Sequence, residues 1–166
     1  MKADKIYLVG FMGAGKSTVA RLLGKRLDWK VEDIDTRIER AERRDIPTIF
    51  RDSGEPYFRA RERETLVGLL SERGVVVASG GGTFADASNR ELMLRDGCVV
   101  WLDAPFETVL RRVPRDGRRP LAADRVGMER LYNQRLVAYR QAHLRVDAGR
   151  GSVEEHVDHI MEWLED

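Results

Sequence analysis

The sequence predicts a three-layer α/β fold, in which a parallel sheet is covered by helices on both faces. Short apolar segments alternate along the chain with longer segments of helical periodicity, which is the order that a parallel sheet requires. The apolar segments are continuous rather than alternating, as is typical of strands buried on both faces. No repeat, low-complexity stretch or linker divides the 166 residues, so we expect a single domain spanning residues 1–166.

Five short apolar segments are predicted to form the sheet. Each is bounded by glycine, proline or charged residues that interrupt the apolar run. The predicted strands span residues 5–9, 31–34, 75–78, 98–102 and 144–147.

The segments between the strands are predicted to be helical. The first helix, residues 16–27, places Val19, Leu22, Leu23 and Leu27 on one face. The remaining predicted helices span residues 36–44, a segment beginning at Ile46-Pro47, and residues 57–72, 89–95, 105–112, 128–143 and 153–164. Residues 52–55 are predicted to form a turn, and residues 114–124 an exposed loop, because the latter are polar and lack apolar periodicity.

Composition excludes several kinds of partner. The net charge of +1 offers no broad field for nucleic acid or a membrane surface, and the apolar runs are too short to cross a bilayer. The start, Met1 to Lys5, leads directly into a strand and predicts no signal peptide. The single cysteine, Cys98, lies in an apolar run and is predicted to be buried and unreactive. We therefore expect a cytoplasmic protein.

Residues 10–17 read Gly-Phe-Met-Gly-Ala-Gly-Lys-Ser and match the phosphate-binding loop pattern. Its glycines let the backbone aim N–H groups at phosphate oxygens, and the following helix adds its positive end. Lys16 supplies a cation for the β- and γ-phosphates, and Ser17 a hydroxyl for Mg²⁺. The predicted nucleotide-binding residues are Gly13, Ala14, Gly15, Lys16, Ser17 and Thr18.

The size of the chain favours a small-metabolite kinase among the proteins that carry this loop. The guanine signature Asn-Lys-x-Asp, which is usual in GTPases of this length, does not occur in the sequence.

Asp33 and Asp35 end the second predicted strand, beside the phosphate-binding loop. Carboxylates there lie where Mg²⁺ and an acceptor hydroxyl would meet, so one could hold the metal's water shell while the other orients or deprotonates the hydroxyl. Spacing alone leaves an equal alternative, because Asp35 could instead cap a helix starting at Thr36.

Two further features point to an acceptor site. Arg59 follows an aromatic residue pair near a helix start, where a side chain can face inward, although a surface charge is the usual reading. Gly80, Gly81 and Gly82 close a buried strand, which favours a close approach of backbone to a ligand.

Taken in order, these motifs resemble the shikimate kinases. The resemblance covers residues 6 to about 147. It rests on the phosphate-binding loop, Asp33 and Asp35, the Gly-Glu-x-x-Phe-Arg run at residues 54–59, the glycines at 80–82, Arg119-Pro120-Leu121, and Tyr132-Asn133-Gln134-Arg135 with Tyr139.

The resemblance implies the P-loop fold of the nucleoside monophosphate kinases, with a five-stranded parallel sheet. It implies a substrate-binding insert at about residues 35–62 and a lid at about 113–124. The implied reaction uses ATP and Mg²⁺ to phosphorylate the 3-hydroxyl of shikimate, giving shikimate 3-phosphate for aromatic amino acid biosynthesis. Small kinases of this shape are often monomers, so we expect a monomer.

The resemblance also implies individual roles. Asp35 would act as base or orienter, Asp33 would reach Mg²⁺ beside Ser17, and Lys16 and Arg119 would neutralise the transferring phosphoryl group. Arg112 would lie against adenine. The residues implied to contact shikimate are Asp35, Phe50, Phe58, Arg59, Gly80, Gly81, Gly82 and Arg135.

The chain departs from the family pattern in three places. Residues 42–45 lack the usual glycine, Thr48 replaces a common acidic residue, and Ala138 replaces a frequent proline. The departures concern the shape of the insert and the late helix rather than the implied contacts.

Three other activities stay open at this point. A kinase for another polyol acid, such as gluconate, would use the same arginines, because gluconate also has a carboxylate and hydroxyls. A nucleoside monophosphate kinase is less well supported, since the insert offers little for a base and a second phosphate. A non-catalytic nucleotide switch would need no acceptor site.

Overall fold

The computed structural model describes residues 1–112 and 124–166, which contain a five-stranded parallel sheet. The strands lie in the order β2-β3-β1-β4-β5. They are β1 (Lys5–Val9), β2 (Lys30–Asp33), β3 (Val75–Ala78), β4 (Cys98–Asp103) and β5 (Leu144–Asp147). All five predicted strands are confirmed, with β2 displaced by one residue.

Eight helices connect and cover these strands in the part of the chain that the structure describes. They are α1 (Lys16–Leu27), α2 (Ile34–Glu42), α3 (Ile46–Ser53), α4 (Glu55–Leu69), α5 (Ala87–Asp96), α6 (Phe106–Arg112), α7 (Arg125–Tyr139) and α8 (Val153–Glu165). The last helical segment predicted before β5 ends at Tyr139 rather than at residue 143.

The core lies around the three central strands. Every residue of β1 and β3 is buried, and so are the first five of β4. Successive side chains of a strand point to opposite faces, so the sheet must be covered on both, which confirms the three-layer prediction. The edge strands differ: β2 is exposed or half-buried, and β5 alternates. Charged residues on edge strands are a common protection against pairing with other chains.

The predicted turn at residues 52–55 is wrong. Helix α3 continues to Ser53 and α4 begins at Glu55, so only Gly54 separates them. Gly54 has φ of 83°, and its N–H donates to the carbonyls of Ile49 and Phe50. Pro56 then favours immediate helix initiation, because it needs no N–H bond in the first turn.

Arg43 ends α2 in the left-handed region, with φ of 55°. A glycine at this point would adopt that conformation without the steric cost that a side chain carries. In the segment of residues 42–45, which lacks the family's usual glycine, a non-glycine residue therefore adopts a conformation that favours glycine.

Among residues 1–112 and 124–166, no helix combines the length and apolar character needed to cross a membrane. The predicted lid lies outside the described residues except for Asp124, which caps α7, and Arg119 lies outside them as well.

Candidate active site

A cleft of about 480 Å³ opens at the carboxyl edge of the sheet. The connections after β1, β2 and β3 meet there because these strands are neighbours in the sheet. The carboxyl edge of a parallel sheet is where open α/β folds bind ligands. The cleft is lined by Gly13, Gly15, Lys16, Ser17, Thr18, Asp33, Asp35, Thr36, Glu39, Asp45, Ile46, Pro47, Ser79, Gly80 and Gly81.

The phosphate-binding loop joins β1 to α1 as predicted. Gly15 precedes the helix with φ of 98°, and no side chain caps the helix start. A helix start of this kind, without a side-chain cap, is a common place for backbone N–H groups to bind an anion. Lys16 Nζ lies over the loop and donates to the carbonyls of Gly10 at 2.7 Å and Phe11 at 3.0 Å. Arg112 reaches the same loop from α6 and donates to Gly13 at 3.3 Å.

Asp33 joins the loop to α2. The Ser17 hydroxyl donates to Asp33 Oδ2 at 3.3 Å, while Asp33 Oδ1 accepts from the Thr36 N–H at 3.1 Å and caps α2. The helix therefore begins at Ile34, and the capping role considered for Asp35 belongs to Asp33. The Ser17 hydroxyl, at the start of α1, and the Asp33 carboxylate, at the end of β2, thus lie together in the cleft lining.

Asp35 lies in the first turn of α2 and faces the loop after β3. A Cβ atom placed on Gly80 would lie 3.0 Å from Asp35 Oδ1. The absence of a side chain at Gly80 thus lets this carboxylate sit against the strand end and line the cleft.

Two guanidinium groups meet at Gly82. A Cβ atom there would lie 2.6 Å from Arg59 Nη1, 2.7 Å from Arg59 Nη2 and 2.9 Å from Arg135 Nη2. A Cβ on Gly81 would lie 2.9 Å from Arg135 Nη1. These glycines leave space that the two arginines, one from α4 and one from α7, enter together.

In the part of the chain that the structure describes, the arginine pair carries more positive charge than the buried carboxylates beside it balance. Arg135 is 6% exposed, and burial lowers its pKa, although a guanidinium stays protonated in proteins. Arg59 Nη1 contacts both oxygens of Glu62, which is 1% exposed, at 3.1 and 3.2 Å. The other carboxylate on Arg59, Glu55 at 3.4 Å, is largely exposed. Among residues 1–112 and 124–166, two cations thus lie around one buried carboxylate, an arrangement that suits a small anion.

Aromatic rings flank the arginines. Phe50 and Phe58 lie with ring centroids 5.0 Å apart, and the Arg59 guanidinium lies 5.3 Å from the Phe58 ring. Arg135 lies 5.7 Å from the Phe11 ring, which stacks on Tyr132. Such contacts hold a planar cation in place while its edge stays available for hydrogen bonds.

The structure thus brings the predicted residues together in two groups. Most of the predicted loop residues line the cleft together with Asp33, Asp35, Gly80 and Gly81, whereas Arg59 and Arg135 are grouped around Gly82. The predicted residues Ala14, Phe50 and Phe58 do not line the cleft. Sequence reasoning assigned no role to Glu62 or Thr83. Glu62 was detectable in principle, since it follows Arg59 by three residues on a helix, the spacing of an ion pair. Thr83 had no sequence signal, because its contact crosses from one element to another.

Fold and cleft together define the chain as a P-loop kinase of small metabolites. A family model described as shikimate kinase matches residues 12–165. The chain belongs to the shikimate kinase family, as its motifs indicated, and is an ATP-dependent phosphotransferase.

Relatives support this assignment over nearly the whole chain. The shikimate kinase of Sulfurihydrogenibium sp. (strain YO3AOP1) is 41% identical over 157 residues, covering 94% of this chain and 95% of the relative. The shikimate kinase from Acinetobacter baumannii, solved in complex with shikimate, has a TM-score of 0.91 and 38% identity, covering 98% of this chain and 93% of that chain. These findings favour shikimate over the alternative acceptor, gluconate.

A more distant structure confirms the fold alone. The deoxyadenosine kinase from M. mycoides with bound dATP has a TM-score of 0.67 at 17% identity, covering 98% of this chain and 99% of that chain. The predicted fold, a P-loop architecture like that of the nucleoside monophosphate kinases, is therefore confirmed.

Proposed function

We propose that this chain transfers the γ-phosphoryl group of ATP to the 3-hydroxyl of shikimate, as a step of aromatic amino acid biosynthesis. The observation that carries the proposal is the meeting of Arg59 and Arg135 at Gly82, in the same turn after β3 whose Gly80 faces Asp35. Shikimate has one carboxylate and three hydroxyls, so it needs cations at one end and a hydrogen-bond acceptor at the other.

The acceptor would bind with its carboxylate on the two guanidinium groups. Arg59 and Arg135 offer charge-assisted hydrogen bonds in a planar arrangement that matches a carboxylate. Asp35 would accept the hydrogen bond of the 3-hydroxyl, align it for attack and receive its proton. Phe50 and Phe58 would pack against the ring, and the backbone of residues 80–82 would approach it closely.

The donor would occupy the phosphate-binding loop. Lys16 would exchange its carbonyl partners in the loop for the β- and γ-phosphates, while the N–H groups at the start of α1 hold the phosphate oxygens. Arg112, already at the loop, would lie against adenine. Arg119 would neutralise the transferring phosphoryl group, for which positioning and charge matter more than covalent chemistry.

Mg²⁺ fits the paired oxygens of Ser17 and Asp33. Hard oxygen donors suit this ion, which usually keeps several waters and takes only one or two protein ligands beside phosphate oxygens. In residues 1–112 and 124–166 no group of three or more histidine, cysteine or acidic side chains forms a metal site, so a site with few protein ligands is the one to propose. When bound, the ion would neutralise phosphate charge.

The remaining expectations extend to the whole chain. Residues 35–62 would form the acceptor-binding insert and residues 113–124 the lid, which would exclude water as a competing acceptor. We expect the enzyme to act as a monomer, as small kinases of this shape often do. The net charge of +1 argues against a nucleic acid partner. A cytoplasmic location fits Cys98, since burial raises the pKa of its thiol to about 11 and keeps it protonated.

The test is ADP release in the presence of ATP and Mg²⁺, comparing shikimate, gluconate, nucleoside monophosphates and no acceptor. We expect stimulation by shikimate alone, with phosphorus NMR placing the new phosphate on the 3-oxygen. Stimulation only by another acceptor would keep the phosphotransferase and discard the arginine site for shikimate.

A further inference from the structure

Behind the arginine pair, a buried threonine makes a hydrogen bond that the proposed chemistry does not use. Thr83 is completely buried, and its hydroxyl donates to Glu62 Oε2 at 2.8 Å. Glu62 in turn holds Arg59 through both carboxylate oxygens. The Thr83 hydroxyl is therefore connected through Glu62 to the guanidinium group that would bind the acceptor carboxylate.

We propose that Thr83 is a positioning residue for the acceptor carboxylate, acting through Glu62 on Arg59. This inference rests on the proposed function, since it assigns Arg59 to shikimate. Thr83 would not touch the substrate. It would set the direction of the Glu62 carboxylate, and that direction would decide where the Arg59 guanidinium lies relative to Arg135.

The need for such a residue follows from the two partners of Arg59. The guanidinium lies between Glu62, which is 1% exposed, and Glu55, which is 48% exposed. The contact with Glu55 draws the guanidinium toward solvent, and the contact with Glu62 holds it beside Gly82. A hydroxyl donor on Glu62 keeps this carboxylate in one orientation, so the inner contact is maintained.

Thr83 is itself held from two sides. Its N–H donates to the Gly80 carbonyl at 3.3 Å and closes the turn after β3. Its carbonyl accepts from Asn89 Nδ2 at 3.2 Å, and buried Asn89 accepts from Arg63 at 3.0 Å. Thr83 thus belongs to the same turn whose glycines face the arginines, so this one turn contacts both Glu62 and the two guanidinium groups.

The experiment compares Thr83→Val, which has nearly the same shape without the hydroxyl, with Thr83→Ser, which keeps it. The matched control is Thr65→Val on α4, whose hydroxyl bonds the Arg61 carbonyl of its own helix. We expect Thr83→Val to raise the KM for shikimate about tenfold, the order expected for one hydrogen bond to a charged group. We expect Thr83→Ser and Thr65→Val to keep the KM within about threefold of the wild type, and kcat to change little in any of them.

A second substrate separates positioning from general structure. The methyl ester of shikimate lacks the negative charge, so it cannot form the same pair with Arg59. In the wild type we expect a much higher KM for the ester than for the acid. Thr83→Val should raise the KM for the acid while leaving the KM for the ester nearly unchanged. The ratio of the ester KM to the acid KM should therefore be about tenfold lower in the variant than in the wild type.

Each outcome decides the proposal. Equal increases for acid and ester, an unchanged acid KM in Thr83→Val, or no rescue by Thr83→Ser would overturn it. A wild type that does not distinguish acid from ester would overturn the arginine site itself and this inference with it, whereas discrimination that Thr83→Val leaves intact would overturn the inference alone. Should Thr83→Val fail to fold, Thr83→Ala replaces it with the same expectations.

Discussion

Arg59 and Arg135 repel one another, and this repulsion lowers the stability of the fold. A chain in which only one of the two charges had a function would be more stable without the other. The protein reduces the cost locally: Glu62 balances one charge, and the rings of Phe58 and Phe11 lie beside the two guanidinium groups. The positive charge that remains favours binding of an anion, and it is in place before the anion binds. Substrate binding would therefore require little rearrangement at this end of the molecule.

Lys16→Ala should lower kcat by at least about 100- to 1000-fold, since loss of one preorganised group at the transferring phosphate costs this much. ADP release with saturating shikimate measures the effect. The matched control is Lys25→Ala on the same helix, where the side chain is exposed and the rate should be unchanged. Substantial remaining turnover in Lys16→Ala would contradict the assignment of the loop.

Arg59→Ala should raise the KM for shikimate by about 100-fold, because a charge-assisted pair is lost and Glu62 is left without its cation. The KM for ATP should stay nearly constant. Initial rates over a range of each substrate separate the two, and thermal unfolding checks that the variant is folded. Arg95→Ala, an exposed arginine of α5, is the control. An unchanged shikimate KM would remove Arg59 from the site.

At the scale of elements, helices and strands were more predictable than their ends. The apolar runs of the central strands identified the sheet, because strands buried on both faces carry their signal in composition alone. Two element boundaries were missed, at Gly54 inside the insert and at Asp33 just before it. At each of them the conformation of a single residue sets where a helix begins, and the pattern of neighbouring residues does not reveal it. The arginine pair was found by resemblance. The contact of Arg59 with Glu62 lies within α4, at the spacing of an ion pair, but the contact of Glu62 with Thr83 could not be predicted, because it depends on packing between α4 and the turn after β3.

Arg43→Gly should stabilise the protein by about 0.5–1 kcal/mol, because it removes a left-handed non-glycine residue whose strain exceeds the added freedom of the unfolded chain. Urea unfolding at constant m-value measures the change. The control is Arg40→Gly, an exposed position inside α2 with ordinary helical backbone, which should destabilise by about 1 kcal/mol. A loss of stability in Arg43→Gly would show that this side chain contributes more than its conformation costs.

On the scale of the whole molecule, the candidate active site and a buried network of charged residues lie at opposite ends of the strands. The cleft is at the carboxyl edge, whereas a buried charge network lies where β1 and β4 begin. Lys5 is completely buried and contacts Asp96 at 2.7 Å, and Tyr7 and Arg73 also donate to that carboxylate. Burial alone would raise the pKa of Asp96, but these three donors hold it below its ordinary value.

Asp96→Asn should destabilise the protein by about 3–5 kcal/mol at neutral pH, because it leaves Lys5 buried without its counter-charge. The folded pKa of Asp96 is lowered, so its contribution is present above the unfolded pKa and is lost as pH falls through the folded value. The difference between wild type and variant should therefore shrink below about pH 4.

Urea unfolding at several pH values measures this difference. Asp158→Asn, which removes an exposed pair with Arg26, should change stability by less than about 1 kcal/mol. Activity per folded molecule should be preserved in both variants. If the difference between wild type and Asp96→Asn grew in acid, the folded pKa of Asp96 could not be the lowered one.

The strand order has a consequence for folding of the chain during translation. In the finished sheet β3 separates β1 from β2, so two strands made early in translation cannot pair with each other and must wait for residues 75–78. β1 gains its other neighbour, β4, still later. A nascent polypeptide that already contains the whole phosphate-binding motif therefore lacks the neighbouring strands that position this motif in the finished sheet. The arginine pair is completed later still, because Arg135 lies on α7, after β4 in the chain.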